Sequence, residues 1–217
     1  MPRKVIYFTV AFLIIAVGDQ VTKWWVVQNI ELWRGSIDVI PGFFQLVHYQ
    51  NKGAVGGILG DWGHRLTFFL GFAVVAMGAM LWMLAQLPKD ERFNPTMIGL
   101  IAGGAVGNTI DRAWVGAVTD FLRFYTDSAS WAPWLRDKLG TAEYPSFNVA
   151  DMGITIGIIA FLISSFFQDE EAQKISAEEL PKDGETADTK PAETKPADKK
   201  PADTKPVEKK PEAKKSK

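Results

Sequence analysis

The sequence predicts an α-helical membrane protein, with four transmembrane helices, a small outward sheet, a short outward interfacial helix and a disordered C-terminal tail. Three observations carry the prediction. Four apolar runs, at about residues 5–27, 66–87, 95–118 and 150–167, are long enough to cross a bilayer. The composition changes abruptly after Gln168, from apolar runs to Lys, Glu, Asp, Pro, Ala and Thr. Arg3, Lys4, Lys89, Arg92 and the tail lysines all fall on one side of a four-span topology, which makes that side cytoplasmic and puts both termini there.

The first run follows Arg3 and Lys4 and contains the small-x-small triplet Ala16-Val17-Gly18, a feature of cleavable signal peptides. Trp24, Trp25, Val26 and Val27 extend the run past that triplet and provide an interfacial aromatic anchor, so it is read as a retained span. The segment after it has strand character from Ile37 to Tyr49, broken by the turn signal Pro41-Gly42. It predicts a small twisted sheet or hairpin lying on the membrane. The second run ends at Pro88 and the charged Lys89-Asp90-Glu91-Arg92. After the third run, Leu122 to Ser146 carries Trp131, Pro133, Trp134, Leu135 and Leu139 before Gly140. That pattern predicts a short interfacial helix stopped by the glycine, with Trp131 and Trp134 placed either as an adjustable lid or as a static anchor.

The two parts divide the chain into a membrane domain, 1–168, and a cytoplasmic tail, 169–217. The tail repeats with a period of five from Lys190-Pro191-Ala192-Glu193-Thr194 onward. Regular prolines and mixed charge predict extended disorder.

The chemical inventory narrows the function. Cysteine is absent, which excludes disulfides, a thiolate nucleophile and Cys-ligated metal. His48 and His64 lack the spacing of a zinc protease, and Ser164 and Ser165 have no visible base. A formal net charge of -1, with basic residues scattered or interleaved with acids, gives no reason to expect nucleic acid as a partner. Acids remain. Asp120 and Asp151 each sit where an apolar run meets a polar loop. An Asp at mid-bilayer costs about 2.5 to 3.5 kcal/mol on insertion scales, so such acids point to function. Two carboxylates in close approach share one proton, and one then activates water while the other protonates a carbonyl oxygen. A proton-coupled transporter and a non-enzymatic scaffold that recruits partners through its tail are the rival readings.

Further polar residues lie inside the runs. Asp19 and Lys23 are four apart on one helix face, as are Asn108 and Arg112, with Asp111 adjacent and read as a partner of Arg112. Gly99, Gly103 and Gly107 recur every four residues, a helix-packing pattern. Asn51-Lys52-Gly53-Ala54 is a small, amide-bearing loop suited to close approach of an extended ligand.

Five motifs stand in one order along the chain: Asp19-Gln20-Val21-Thr22-Lys23; Asn51-Lys52-Gly53-Ala54; Gly103-Gly104-Ala105-Val106-Gly107-Asn108-Thr109-Ile110-Asp111-Arg112; Val118-Thr119-Asp120-Phe121; and Phe147-Asn148-Val149-Ala150-Asp151. Together they closely resemble the bacterial lipoprotein signal peptidases, signal peptidase II, over roughly residues 5–167. The resemblance implies an aspartic endopeptidase of the bacterial inner membrane with four membrane helices, an outward β-cradle and a site toward the outer leaflet. It implies as substrates diacylglyceryl-modified prolipoproteins, cut just before the lipidated cysteine. It implies Asp120 and Asp151 as the catalytic dyad and Asp19, Lys23, Asn51, Gly53, Gly104, Asn108, Asp111, Arg112, Asn148 and Ala150 as the supporting, substrate-holding set. No metal or cofactor is expected; membrane lipids are the surroundings and a monomer is the expected state. Two departures stand out: the stretch at 127–139 looks inserted between the aspartates, and the pentapeptide tail has no counterpart in the resemblance.

Overall fold

A computed structural model describes residues 1–54 and 58–178, with side chains described as far as residue 166. The chain order is α1 (Arg3–Asn29), β1 (Ser36–Ile40), β2 (Phe44–Asn51), α2 (Arg65–Gln86), α3 (Phe93–Val115), β3 (Val118–Phe124), α4 (Trp131–Leu139) and α5 (Val149–Glu178). Helices α1 and α2, together with the Val149–Phe166 part of α5, are long and apolar enough to cross a membrane. At about 1.5 Å per residue, the 27 residues of α1 reach about 40 Å. Helix α3 is of similar length but is diluted by glycines and by Asn108, Asp111 and Arg112.

Helix α3 is central, packed on α1, α5 and α2. Its glycines set the approach. Gly99 and Gly103 face the backbone of α1, where an added Cβ would meet the Phe8 and Phe12 carbonyl oxygens at 2.5 and 2.6 Å. The α1–α2–α3 contact is sealed by Met80, Ile98 and Ala102, with Phe8 and Phe12 against them. The outer faces are apolar and bare: Val74 is 73% and Ile14 64% exposed, while Asp19 is 0% exposed. Polar groups inside and bare hydrocarbon outside invert the pattern of a water-soluble domain and match lipid as the solvent.

At one end of the bundle, Lys4 donates to the Ala85 and Leu87 carbonyls at 2.9 and 2.6 Å, capping the end of α2, and Arg92 lies over the Tyr7 ring. The sheet sits at the other end. Its order is β1-β2-β3, antiparallel throughout, with Tyr49 opposite Asp120 and Asn51 opposite Val118. Val26, Ile30 and Phe121, with Leu46, Leu122 and Val149 against them, seat it on the ends of α1 and α5.

The hairpin of β1 and β2 turns at Pro41-Gly42 as expected, with Gly42 at φ 75°. Strand β3 is an addition to the reading. The apolar run was expected to continue as helix to residue 118, but Gly116, at φ 77°, ends α3 by donating to the Arg112 carbonyl. The following Val-Thr-Asp-Phe-Leu is β-branched and apolar, and it pairs with β2.

Helix α4 forms where the interfacial helix was expected and stops at Gly140, φ 76°. It is carried on a stalk in which Tyr125 bridges Glu143 and Leu122 bridges Phe147. Trp131 and Trp134 stack edge to face and are mostly exposed. Helix α5 runs to Glu178, past the expected boundary at 168, because residues 168–178 are good helix formers and no proline intervenes before Pro181. The rest of the expected tail, 179–217, lies outside the described residues.

Candidate active site

Asp19 and Lys23 lie on the sheet side of α1, Asn108 and Asp111 near the end of α3, and Asp151 in the first turn of α5. They converge because α3 lies between α1 and α5, and its small residues let both come close. An added Cβ on Gly107 would stand 2.5 Å from Asp19 Oδ2, and one on Gly104 would collide with the Ala150 carbonyl. Glycine at these positions is therefore a condition of the site, not only of packing.

The deepest layer is ionic. Lys23 Nζ lies 2.8 Å from Asp19 Oδ2 and 3.2 Å from Asp111 Oδ2, and all three side chains are at most 8% exposed. Self-neutralisation of Asp19 by Lys23 is thus part of a larger group with two carboxylates on one ammonium. Asp111 was expected to pair with Arg112, but it turns to Lys23 and accepts the Thr119 N–H at 2.8 Å, locking the start of β3 to α3. Arg112 instead donates to the Gly53 carbonyl at 2.9 Å and stacks over Phe69, tying the loop after β2 to α2 and α3. The reason is geometric: consecutive residues on a helix point about 100° apart, and only Asp111 faces α1.

The next layer is built of amides. Lys23 donates to Asn108 Oδ1 at 3.0 Å, and Asn108 Nδ2 donates to Asp151 Oδ1 at 2.8 Å, so one amide links the buried ammonium to the carboxylate of α5. Asn148 is fully buried and caps α5. Its Oδ1 accepts the Asp151 N–H at 3.0 Å while Asp151 Oδ2 accepts the Asn148 N–H at 3.2 Å, the reciprocal arrangement of a capping box. The Asn148 amide also donates to Asp120 Oδ1 at 2.9 Å and to Asn108 Oδ1 at 3.1 Å. Asp19 Oδ1 accepts the Ala150 N–H at 2.9 Å. Ala150 is 0% exposed and faces Gly107, which leaves no room for a larger residue.

Asp120 and Asp151 are thus brought to the two sides of the Asn148 amide. Burial is the main cause that raises the Asp120 pKa to about 7, and the Asp151 carboxylate adds to it. Asn51 was expected to hold a peptide. Its side chain accepts the Gly53 N–H at 2.9 Å, donates to the Ala54 carbonyl and also hydrogen-bonds the Asp120 carboxylate, which places it beside the dyad candidate. Asn108, Asn148 and Arg112 are likewise engaged with the protein.

Gln20 and Thr119 join the site without having been singled out. Gln20 donates to the Gly107 carbonyl and lies within 3.2 Å of both Asp19 and Asp111. An amide beside Asp19 inside an apolar run was the available signal. On the sheet side of Asp120 opens a cleft of about 480 Å³ bordered by Trp33, Tyr49, Lys52, Asp61 and Ser146; none of its lining comes from α4.

Residues 10–167 match the family model described as signal peptidase (SPase) II. The chain is 40% identical over 150 residues to a lipoprotein signal peptidase of Maridesulfovibrio salexigens, covering 68% of this chain and 87% of that one. It is 34% identical over 169 residues to one of Listeria welshimeri, covering 78% and 98%. A solved structure described as a bacterial membrane enzyme superposes with a TM-score of 0.61 at 26% identity, covering 82% of this chain and 94% of the other. Agreement of this extent along nearly whole relatives means that the chain belongs to the signal peptidase II family of hydrolases.

Proposed function

We propose that Asp120 and Asp151 form the catalytic dyad of an aspartic endopeptidase that cuts diacylglyceryl-modified prolipoproteins just before the lipidated cysteine. The observation that carries this reading is the meeting of two acids from different elements at Asn148, whose side-chain amide donates to Asp120 Oδ1 while its backbone N–H donates to Asp151 Oδ2. Asp151 occupies the N-terminal turn of α5 and accepts two N–H donors, one from the Asn108 side chain and one from the Asn148 backbone. Asp120, buried and facing the Asp151 carboxylate, keeps its proton to about pH 7.

The division of labour follows. Asp151 takes a proton from water as the water oxygen attacks the scissile carbonyl carbon. Asp120 gives its proton to the carbonyl oxygen, so the tetrahedral intermediate forms as a neutral diol. Collapse returns a proton to Asp120 and passes one to the departing amine. The Lys23, Asp19 and Asp111 group holds Asn108, and through it Asp151, in place.

In this reading α3 is the fourth span, both termini are cytoplasmic, and the dyad lies toward the outer leaflet, with the substrate's acyl chains against apolar helix faces. The protein works as a monomer without metal or nucleic acid. The test is cleavage of a diacylglyceryl-modified prolipoprotein by the purified full chain in lipid. Asp120→Asn and Asp151→Asn should each lower turnover by about 10²- to 10⁴-fold while still inserting in the membrane. Substantial turnover by either variant defeats the assignment.

A further inference from the structure

The cleft that Asp120 lines extends beyond it to Trp33 and Tyr49, and its walls are unusual. Trp33 is a non-glycine residue held at φ 66°, a conformation that costs free energy unless its surroundings enforce it. The enforcement is visible. His48, 5% exposed, donates from Nδ1 to the Ile30 carbonyl at 2.9 Å, and its own carbonyl accepts the Trp33 N–H at 2.9 Å. The Trp33 ring is thereby laid on Tyr49, with centroids 5.3 Å apart and planes 18° from parallel, while 58% of the residue stays exposed. Tyr49 is the cross-strand partner of Asp120. A strained residue thus presents an aromatic face one strand away from a dyad carboxylate, in a cleft that also holds Lys52, Asp61 and Ser146.

Resting on the peptidase reading, we propose that this cleft binds the polar segment of the substrate that follows the lipidated cysteine, with Trp33 and Tyr49 as its stacking platform. The polarity of the substrate decides the direction. The signal peptide and the diacylglyceryl group are apolar and stay with the lipid-facing helices. The chain beyond the cysteine is water-borne. The cleft lies between Asp120 and the Trp33–Tyr49 pair, and Lys52, Asp61 and Ser146 set charged and hydroxyl groups among its aromatic and apolar walls. An extended backbone leaving the dyad in that direction runs alongside Tyr49 and under Trp33. His48 acts as a positioning residue for the platform.

The test compares two diacylglyceryl-modified peptides with the same signal segment, one ending at the lipidated cysteine as its amide and one continuing for several polar residues. The full-length protein should cleave the longer peptide with a kcat/KM about tenfold higher, the scale of one aromatic platform. Trp33→Ala should bring the two peptides to the same kcat/KM, and Trp33→Phe should restore the difference. Independently of whether that variant folds, a photoreactive residue two positions after the cysteine, bound to the D120N protein, should label the segment containing Trp33 and Tyr49. The same group two positions before the cysteine should not. Equal cleavage of both peptides by the unaltered protein, or labelling of the cleft by the upstream probe, overturns the proposal and leaves the dyad standing. Cleavage of neither peptide overturns the peptidase reading and this proposal with it.

Discussion

At Asp120, burial and the neighbouring Asp151 hold the carboxyl pKa near 7, against about 4 in an unfolded chain. Between those values the folded chain keeps a proton that the unfolded chain has lost. This group's contribution therefore makes the fold less stable as pH rises from about 4 to about 7. Under the proposed mechanism the same shift would set an alkaline limit. If Asp120 is the acid, kcat/KM should fall above about pH 7, and a profile flat to pH 9 would assign the proton elsewhere. The ammonium of Lys23 carries the opposite risk. Lys23→Met would leave Asp19 and Asp111 buried without a countercharge, at a cost of about 3 to 5 kcal/mol, to be seen as a lower Tm in detergent. The aspartates were legible in the sequence because acids are rare inside apolar runs. Their partners were only half legible: Asp19 with Lys23 follows from four-residue spacing, but Asp111 with Lys23 joins two helices, and no local spacing encodes that.

Among the elements, α3 shows how far periodicity reaches. The four-residue glycine repeat predicted close packing, and the structure gives each glycine a particular opposite number. Gly107→Ala would drive a methyl group into the Asp19 carboxylate and should cost about 1 to 3 kcal/mol, with a matching loss of peptidase activity. Gly78 in α2 has nothing within 4 Å of an added Cβ, so Gly78→Ala should be neutral or stabilising by up to about 1 kcal/mol. Thermal unfolding of the two variants side by side checks the contrast; equal effects would mean that the α1–α3–α5 approach is not set by glycine. Strand β3 escaped the reading because Val118 to Leu122 is as apolar as the helix before it. Gly116 was the stop signal, and its force lay in a left-handed cap that composition alone does not reveal. The hairpin and α4 were easier, since Pro41-Gly42 and Gly140 punctuate them.

For the molecule as a whole, the proposed orientation rests on the basic residues that flank the spans at one end of the bundle. Arg3 pairs with Asp90, the Lys4 N–H donates to the Lys89 carbonyl, and Arg92 covers Tyr7, so these four basic residues, which flank the spans directly, sit together at the end of the bundle opposite the sheet and α4. Lys and Arg are retained on the cytoplasmic side, which would put the dyad outside. Helix α3 decides the matter, because it joins the loop at residues 88–92 to β3 and α4, and its glycines and charges dilute the apolarity that marks the other helices. Under the proposed four-span topology, burial would let it cross despite them, because Asn108 and Asp111 are buried against protein partners. The chain has no cysteine of its own, so single substitutions report cleanly. In intact cells, a membrane-impermeant maleimide should label Ser130→Cys, beside α4, and should leave Lys89→Cys unlabelled until the membrane is opened. Labelling of both positions, or of neither, would mean that α3 does not cross; labelling of Lys89→Cys alone would turn the molecule over and put the dyad on the wrong side of the membrane for an exported substrate.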